Sequence, residues 1–218
     1  MREHIIRAIE HEKVIAIIRG VEAEMCIRVT DALYAGGIRL AEVTFNQKDP
    51  ASFENTAQVI NAIVHKFGEQ LLVGAGTVTT PELVEVAAQA GANYIISPDM
   101  NPAVIHRTRE LGMVSIPGAM TPTEVLAAHY EGGDFVKLFP AAALGIPYVK
   151  AVRAPISHVR LLAVGGVDEK NAVDFLRAGM SGVGIGGNLV NQEWIEAGEF
   201  DKITETALTL TTTLKGIW

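Results

Sequence analysis

A lysine inside an apolar segment is the first residue of this chain that could do chemistry. The segment runs from Gly132 to Pro140, and Lys137 lies in it between Phe135 and Phe139. Burying an ammonium group without a partner is costly, so its presence there needs a reason. Either Lys137 extends its head to water or pairs with a carboxylate, or burial lowers its pKa and leaves a neutral amine that forms a Schiff base with a ketone. The segment alone does not decide between these interpretations.

A carboxylate on another apolar segment could be the acid/base partner of this lysine. Glu42 shares one face of a predicted strand with Leu40 and Thr44, because alternate residues of a strand point to the same side. Schiff-base chemistry needs an amine that condenses with the ketone and a group that moves protons between intermediates. Inward-facing Glu42 and Lys137 would supply both, although a structural ion pair would give the same pattern.

The elements that must position these residues follow a regular alternation of helix and apolar run. Each helical segment ends at a glycine, which readily takes the left-handed conformation that terminates a helix. The last interval between these glycines corresponds to two units, with the intervening helix end near Pro155. The glycines are at positions 36, 68, 91, 112, 132 and 179. Such an alternation is typical of repeated βα units.

The apolar runs are continuous, as expected for parallel strands that are covered on both faces. The predicted strands cover residues 13–19, 38–45, 71–76, 93–97, 113–117, 134–139, 159–164 and 181–185. Helix starts are predicted where a capping residue precedes a proline or an acidic turn. These starts are Thr80-Pro81, Asn101-Pro102, Thr121-Pro122 and Asp168. A final helix is predicted from Trp194 to Trp218.

Eight strands that alternate with helices in 218 residues predict an α/β protein with a (β/α)8 barrel fold, the TIM barrel. No linker or change of composition divides the chain, so residues 1–218 should form this single domain. A doubly wound open sheet is the alternative architecture. It would have fewer units and usually a glycine-rich fingerprint after its first strand, and Arg19-Gly20-Val21 does not provide one.

In a barrel of this kind the functional groups lie at the C-terminal ends of the strands. The unusual residues of this chain collect at those ends. In chain order they are Arg19, Glu42, Thr44, Thr77, Ser97-Pro98, Pro117-Gly118, Lys137, Gly165-Gly166 and Gly186-Gly187. The two glycine pairs follow the last two strands, where backbone N–H groups of barrel enzymes commonly bind phosphate. Tight turns are the other reason for such pairs, but two of them in neighbouring loops favour an anion site.

Composition and charge exclude several other functions. A net charge of −7 leaves no basic surplus to neutralise phosphates, so nucleic acid is not expected as a partner. Cys26 is the only cysteine, which excludes an internal disulfide, and we expect it to be a packing residue. The first thirteen residues do not resemble a signal peptide, and no apolar run reaches the roughly 20 residues that span a bilayer. We therefore expect a cytoplasmic protein with no membrane partner.

Metal and nucleotide sites are not predicted either. The histidines have no metal-ligand spacing and are expected at the surface; they are at positions 4, 11, 65, 106, 129 and 158. The segment Gly74-Ala75-Gly76-Thr77 is too short for a nucleotide loop and has no lysine. Asp99 and Asp168 are expected to be turn or cap residues.

With these residues in place, the chain resembles the 2-keto-3-deoxy-6-phosphogluconate / 4-hydroxy-2-oxoglutarate aldolases, a family of small class I aldolases. The resemblance runs from about Val14 to Val190 in collinear order. Its motifs are Ile17-Ile18-Arg19, Ala41-Glu42-Val43-Thr44, Gly74-Ala75-Gly76-Thr77-Val78, Ile96-Ser97-Pro98, Ile116-Pro117-Gly118, Val136-Lys137-Leu138-Phe139-Pro140-Ala141 and Gly165-Gly166-Val167.

The resemblance implies a homotrimer of (β/α)8 barrels that reversibly cleaves a 4-hydroxy-2-keto acid. The products would be pyruvate and an aldehyde, either glyceraldehyde 3-phosphate or glyoxylate. Lys137 would form the imine, and Glu42 would transfer protons. Arg19, Thr77, Pro98, Phe139 and Asn46 would bind the substrate. Gly165, Gly166, Gly186 and Gly187 would hold a distal phosphate, and neither metal nor cofactor would be needed.

Three positions depart from the pattern of this family. Asn46 replaces an arginine, Val164 replaces a threonine, and Gly187 replaces a serine of the phosphate loop. The first two are more similar to the branch that acts on the galactonate epimer, which is the alternative substrate. Two further functions stay open: a non-catalytic barrel that binds a sugar phosphate, and a phosphosugar isomerase or epimerase on the same fold.

Overall fold

Short parallel strands form the frame of the protein, whose computed structural model describes residues 2–215. The strands within that range are β1 (Val14–Ile18), β2 (Leu40–Thr44), β3 (Leu72–Gly76), β4 (Tyr94–Ile96), β5 (Val114–Ile116), β6 (Gly118–Ala119), β7 (Val136–Leu138), β8 (Leu161–Val164) and β9 (Gly182–Ile185). All of the strand pairings are parallel, and the order is β5-β4-β3-β2-β1-β9-β8-β7-β6.

The two ends of this strand order meet in one segment of the chain. A single residue, Pro117, separates β5 from β6. The strand is interrupted there because a proline has no N–H group to donate to a neighbouring strand. The segment still bonds to both sides, since the N–H of Ser97 donates to the carbonyl of Ile116 at 3.2 Å and that of Lys137 to the carbonyl of Pro117 at 2.8 Å. The sheet is therefore a nearly closed barrel. The predicted (β/α)8 architecture is confirmed, with its fifth strand broken in two.

Helices alternate with the strands along the chain. They are α1 (Arg2–Glu12), α2 (Ala23–Ala35), α3 (Phe53–Phe67), α4 (Pro81–Gln89), α5 (Pro102–Glu110), α6 (Pro122–Tyr130), α7 (Ala141–Arg153, interrupted at Gly145), α8 (Ala172–Arg177), α9 (Gln192–Glu196) and α10 (Phe200–Lys215). Two short 3-10 turns cover Pro50–Ser52 and Gly68–Gln70. None of the helices in residues 2–215 is long and apolar enough to cross a membrane.

Three of the four predicted helix starts are confirmed by capping bonds. The side chains of Thr80, Asn101 and Thr121 each accept a hydrogen bond from the first turn of the helix that follows. The start at Asp168 is wrong. Its carboxylate accepts hydrogen bonds from the N–H groups of Lys170 and Asn171, and its carbonyl accepts one from the N–H of Ala172, so Asp168 caps the turn that leads into α8, and the helix itself begins only at Ala172.

The predicted helix ends at glycine are confirmed with one exception. Glycines 68, 91, 112, 132 and 179 have the positive φ of the left-handed conformation. Gly36 has φ −77°, and Gly37, with φ 91°, takes that conformation instead. The predicted last helix is two helices, α9 and α10, with Gly198 between them at φ 73°. Residues 216–218 of that prediction lie outside the described residues.

Two apolar clusters divide the residues of each strand by the face on which they lie. One cluster fills the barrel, and the other joins the outer face of the sheet to the helices. The inner cluster contains Ile15, Ile17, Leu40, Leu72, Tyr94, Ile96, Val114, Ile116, Phe135, Leu162 and Val164, together with Ile5, Ile6 and Ile9 of α1. Helix α1 therefore closes the N-terminal end of the barrel. Its Arg2 pairs with the buried Asp134, just before β7.

Because α1 fills the barrel end with apolar side chains, truncating one of them should destabilise the protein. Ile9 is 1% exposed, and Ile9→Ala should lower the free energy of unfolding by about 2–5 kcal/mol. Leu208→Ala on α10 is the control, because Leu208 is 54% exposed and should change stability by only about 0.5 kcal/mol. Urea denaturation measures both. Equal losses in the two variants would contradict the role assigned to α1.

Candidate active site

Lys137 lies on the inner face of the barrel. It is the central residue of β7 and is 4% exposed. In the sheet it is opposite Leu162 of β8, a member of the inner cluster, and alternates with Phe135 of the same cluster. The predicted inward orientation of this strand face is therefore confirmed.

Glu42 lies on the inner face as well. It is 1% exposed in β2, opposite Ile17 of β1 and Gly74 of β3. Its carboxylate occupies the space beside Gly76, where a Cβ atom would lie 1.7 Å from Oε1. The absence of a side chain at Gly76 therefore leaves the space that the carboxylate of Glu42 occupies. Among residues 2–215, no group forms a hydrogen bond with that Oε1 atom.

Burial and mutual attraction set the protonation of the two groups in opposite directions. Burial raises the pKa of Glu42, and the positive charges of Lys137 and then Arg19 partly oppose this rise. Burial lowers the pKa of Lys137; the charge of Glu42 opposes the fall, and that of Arg19 adds to it. Burial wins in both cases because it disfavours each charged form. Both pKa values therefore move in the direction that favours the neutral form of each group.

Two aromatic side chains flank this pair. The Nζ atom of Lys137 lies 5.0 Å from the centroid of the Phe139 ring, within the range of a cation–π contact. Tyr94 is fully buried, and its hydroxyl donates to the carbonyl of Ala41 at 2.7 Å. Its ring lies against Gly74, where a Cβ would be 2.0 Å away. The sequence analysis identified Phe139 but missed Tyr94. The feature that could have indicated it is the presence of an aromatic residue in the fourth predicted strand.

A cavity of about 420 Å³ opens beside Lys137 at the C-terminal ends of the strands. It brings together most of the predicted site residues. These are Arg19, Thr77, Pro98, Lys137, Phe139, Gly165, Gly166, Gly186 and Gly187. Five residues that were not assigned a binding role also line it: Ile17, Val164, Val167, Gly184 and Asn188. Arg19 and Lys137 are the cationic residues of this lining.

Asn46 and Glu42 are not part of the cavity lining. Glu42 is buried on the inner face of the barrel, and its charge interacts with that of Lys137. Asn46 is exposed, and its side-chain oxygen accepts a hydrogen bond from the N–H of Lys48 at 3.1 Å within its own loop. The neighbouring Gln47 instead reaches toward the cavity, where its Nε2 donates to the carbonyl of Thr77 at 2.8 Å. A substrate contact from Asn46 stays a prediction.

Arg19 and Thr77 are held together at the rim of the cavity. Nη2 of Arg19 donates to Oγ1 of Thr77 at 3.1 Å. The backbone of Thr77 has φ 58°, a left-handed conformation that residues with branched side chains rarely adopt. Such a conformation persists only where the surroundings impose it, and it is common at functional sites.

The two glycine pairs meet different steric demands. Gly165 and Gly166 have φ 92° and 73°, and a Cβ at Gly166 would lie 2.7 Å from that of Ala142, so their turn requires glycine. At Gly187 an added Cβ would meet nothing within 4 Å, so packing does not explain that glycine. The side-chain amide of Asn188 donates to the carbonyl of Val167 at 3.4 Å and joins the two loops.

The remaining chemical candidates lie away from this cavity. Burial raises the pKa of the Cys26 thiol to about 11, which agrees with a packing residue. Within residues 2–215, no group of three or more His, Cys, Asp or Glu side chains is arranged to hold a metal ion. His129 is only half-buried, and its ring contacts that of His158 with the centroids 5.4 Å apart.

Comparison with known proteins identifies the family. Residues 5–206 match the model of the family described as KDPG and KHG aldolase. The chain is 38% identical to the probable 2-dehydro-3-deoxy-6-phosphogalactonate aldolase of Rhizobium meliloti, over 80% of each protein. It is 35% identical to the 2-dehydro-3-deoxy-6-phosphogalactonate aldolase of Escherichia coli, over 80% of this chain and 83% of that protein.

A solved structure gives the same result. The KDPG aldolase of Legionella pneumophila, with pyruvate captured as a covalent carbinolamine intermediate, superposes with a TM-score of 0.82 and 30% identity. The superposition covers 91% of this chain and 94% of that one. The relatives are aldolases, which are carbon–carbon lyases. On the combined match of sequence and fold, the chain belongs to the KDPG and KHG aldolase family.

Proposed function

We propose that this protein is a class I aldolase that cleaves a 4-hydroxy-2-keto acid to pyruvate and an aldehyde through an imine on Lys137. The observation that carries the proposal is a pair of buried groups on the inner face of the barrel, the amine of Lys137 and the carboxyl group of Glu42, which interact electrostatically, with Lys137 lining a cavity open to small molecules. Burial lowers the pKa of the amine, which increases the fraction of the neutral nucleophile. The covalent pyruvate adduct of the Legionella pneumophila relative supports the same chemistry.

The reaction begins with the addition of the neutral Nζ of Lys137 to the C2 ketone. The resulting carbinolamine takes a proton from the carboxyl group of Glu42 through water and loses water to give a protonated imine, which acts as the electron sink and leaves Glu42 as a carboxylate. Glu42 takes the proton of the C4 hydroxyl through a bridging water, the C3–C4 bond breaks, and the aldehyde leaves. Its electron pair stays on the enamine of pyruvate. The protonated Glu42 then returns a proton to C3, and water hydrolyses the imine to pyruvate and free Lys137.

The cavity lining supplies the contacts that orient this substrate. Arg19 and Thr77 bind its carboxylate and neighbouring oxygens, while Pro98 and Phe139 contact its carbon chain. The four loop glycines offer backbone N–H groups to a distal phosphate; they are Gly165, Gly166, Gly186 and Gly187. We also propose that the chain forms a single domain and works in the cytoplasm, as its sequence predicts, and that it assembles as a homotrimer, as its family resemblance implies.

The galactonate epimer is the second candidate substrate beside 2-keto-3-deoxy-6-phosphogluconate and 4-hydroxy-2-oxoglutarate. Val164 lines the cavity where a threonine is usual for the gluconate branch, and Asn46 replaces an arginine. The two galactonate aldolases named above, at 38% and 35% identity, support this candidate. A non-catalytic sugar-phosphate-binding barrel and a phosphosugar isomerase do not need an imine, so imine trapping separates them from the aldolase.

Trapping the imine tests the role of Lys137 directly. After incubation with pyruvate and borohydride, mass spectrometry should show one reduced adduct on the native protein and none on Lys137→Ala. Lys150→Ala is the control, because Lys150 is an exposed lysine of α7 and should leave the adduct unchanged. The absence of an adduct on the native protein would exclude the proposed chemistry.

Replacing the carboxylate should separate proton transfer from imine formation. Glu42→Gln should slow turnover by roughly 10²–10⁴-fold if Glu42 is the acid/base group. The same change removes the negative charge that opposes the lowered pKa of Lys137, so that pKa should fall further. Because the amine is neutral above its pKa, the pH of half-maximal pyruvate trapping should move downward in the variant. Turnover close to that of the native protein would instead make Glu42 a structural partner.

Pyruvate release from both epimers, with and without the phosphate group, tests the substrate configuration. Val164→Thr places a hydroxyl group in the cavity at a side chain that is 6% exposed. It should lower the ratio of kcat/KM for the galactonate over the gluconate epimer by about threefold to tenfold, the value of one hydrogen bond. A ratio that is the same in the variant and the native protein would remove Val164 from the selection of the epimer.

A further inference from the structure

One side chain links the loop after β2 to the loop after β3 at the rim of the cavity. Nε2 of Gln47 donates to the carbonyl of Thr77 at 2.8 Å, and its Oε1 accepts from Oγ1 of Thr79 at 3.3 Å. The amide therefore holds both ends of the segment 77–79. Gln47 itself does not line the cavity, so any effect on a bound molecule must pass through Thr77.

The segment that Gln47 holds has an unfavourable backbone conformation. Thr77 has φ 58°, and a branched side chain disfavours that conformation. The next residue is fixed from the other side, because the N–H of Val78 donates to the carbonyl of Ile96 at 3.3 Å and its carbonyl accepts from Oγ of Ser97 at 2.7 Å. Gln47 thus holds the carbonyl of Thr77, and the next residue, Val78, is already held by hydrogen bonds to the end of β4 and to Ser97.

The orientation of Thr77 determines where Arg19 is held. Oγ1 of Thr77 accepts the hydrogen bond from Nη2 of Arg19 at 3.1 Å, and both side chains line the cavity that contains Lys137. If Thr77 relaxed to an extended conformation, its hydroxyl would turn away and the long, exposed side chain of Arg19 would lose this partner. Binding a carboxylate would then cost more conformational entropy, because the side chain of Arg19 would have to be ordered on binding.

We propose that Gln47 is a positioning residue for substrate binding, which fixes Thr77 and through it the guanidinium that receives the carboxylate of the 2-keto acid. The inference rests on the proposed function for the role of Arg19 and of the imine. It also assigns different tasks to two adjacent amides. Asn46 bonds within its own loop to the N–H of Lys48, and Gln47 makes the connection to the neighbouring strand end.

Pyruvate itself is the probe, because it carries both the carboxylate and the ketone that forms the imine. Gln47→Met removes both hydrogen bonds at similar side-chain length, and Gln47→Glu removes the donor to Thr77 while it keeps an acceptor for Thr79. Both should raise the pyruvate concentration that half-saturates borohydride trapping by about threefold to tenfold. The trapping rate at saturation should stay within about twofold, because the lost interaction serves binding rather than the chemical step.

Repeating the Gln47 substitution in a protein that already lacks the Arg19 guanidinium shows whether Gln47 acts through Arg19. In Arg19→Leu the guanidinium is absent, so adding Gln47→Met should change half-saturation by less than about twofold, as expected for coupled residues. The matched control is Gln58→Met, since Gln58 bonds to Glu54 on the exposed face of α3 and should leave trapping unchanged. Thermal unfolding of every variant checks that the barrel is intact.

The outcomes distinguish the two proposals. No adduct on the native protein would overturn the aldolase proposal, independently of Gln47. An adduct whose half-saturation is unchanged in both Gln47 variants would overturn the positioning role alone. An equal shift in the Arg19→Leu background would also overturn it, because the effect would then not depend on the guanidinium.

Discussion

The balance between burial and attraction at Lys137 and Glu42 is the constraint on which the rest of the site depends. Removing both charges from water costs more than their mutual attraction returns, so the pKa of each group moves toward its neutral form. An aldolase of the imine type needs that outcome, since the amine must be a nucleophile and the acid must release and accept a proton at neutral pH. A direct surface ion pair between the same groups would keep both charged and would suit neither step.

Two features of the barrel keep Lys137 and Glu42 buried: glycines beside the site, and an N-terminal end that is closed by α1. Gly74 admits the Tyr94 ring and Gly76 admits the carboxylate of Glu42, so larger residues at these two positions would displace the groups beneath the cavity. Helix α1 fills the opposite end with isoleucines, and the cavity opens at the end where the strands terminate. The low dielectric that shifts both pKa values therefore comes from the same apolar packing that stabilises the fold.

The sequence was most informative where geometry is periodic. Strand alternation correctly placed Glu42 and Lys137 on the inner face, and the recurring glycines predicted the helix ends. It failed where a side chain competes with the backbone, as at Asp168, whose turn delays α8. Gln47 shows a different limit. Its partners Thr77 and Thr79 are thirty residues away or more, and nothing in the spacing of these three residues reveals the bonds between them.

The distribution of charge along the cavity determines how the site can recognise the two ends of a substrate. Arg19 and Lys137 are the cationic side chains of the lining, and in the proposed mechanism the imine would use Lys137 and leave Arg19 for the carboxylate. A distal phosphate would then rest on backbone N–H groups of the glycine loops, without a cationic side chain from the cavity lining. Recognition of the carboxylate in the proposed mechanism would thus be electrostatic and would depend on how firmly the guanidinium of Arg19 is held. Recognition of the distal end would then depend on shape and hydrogen bonds, and Val164 and Asn188, which line the cavity near those loops, could select between substrates of equal charge.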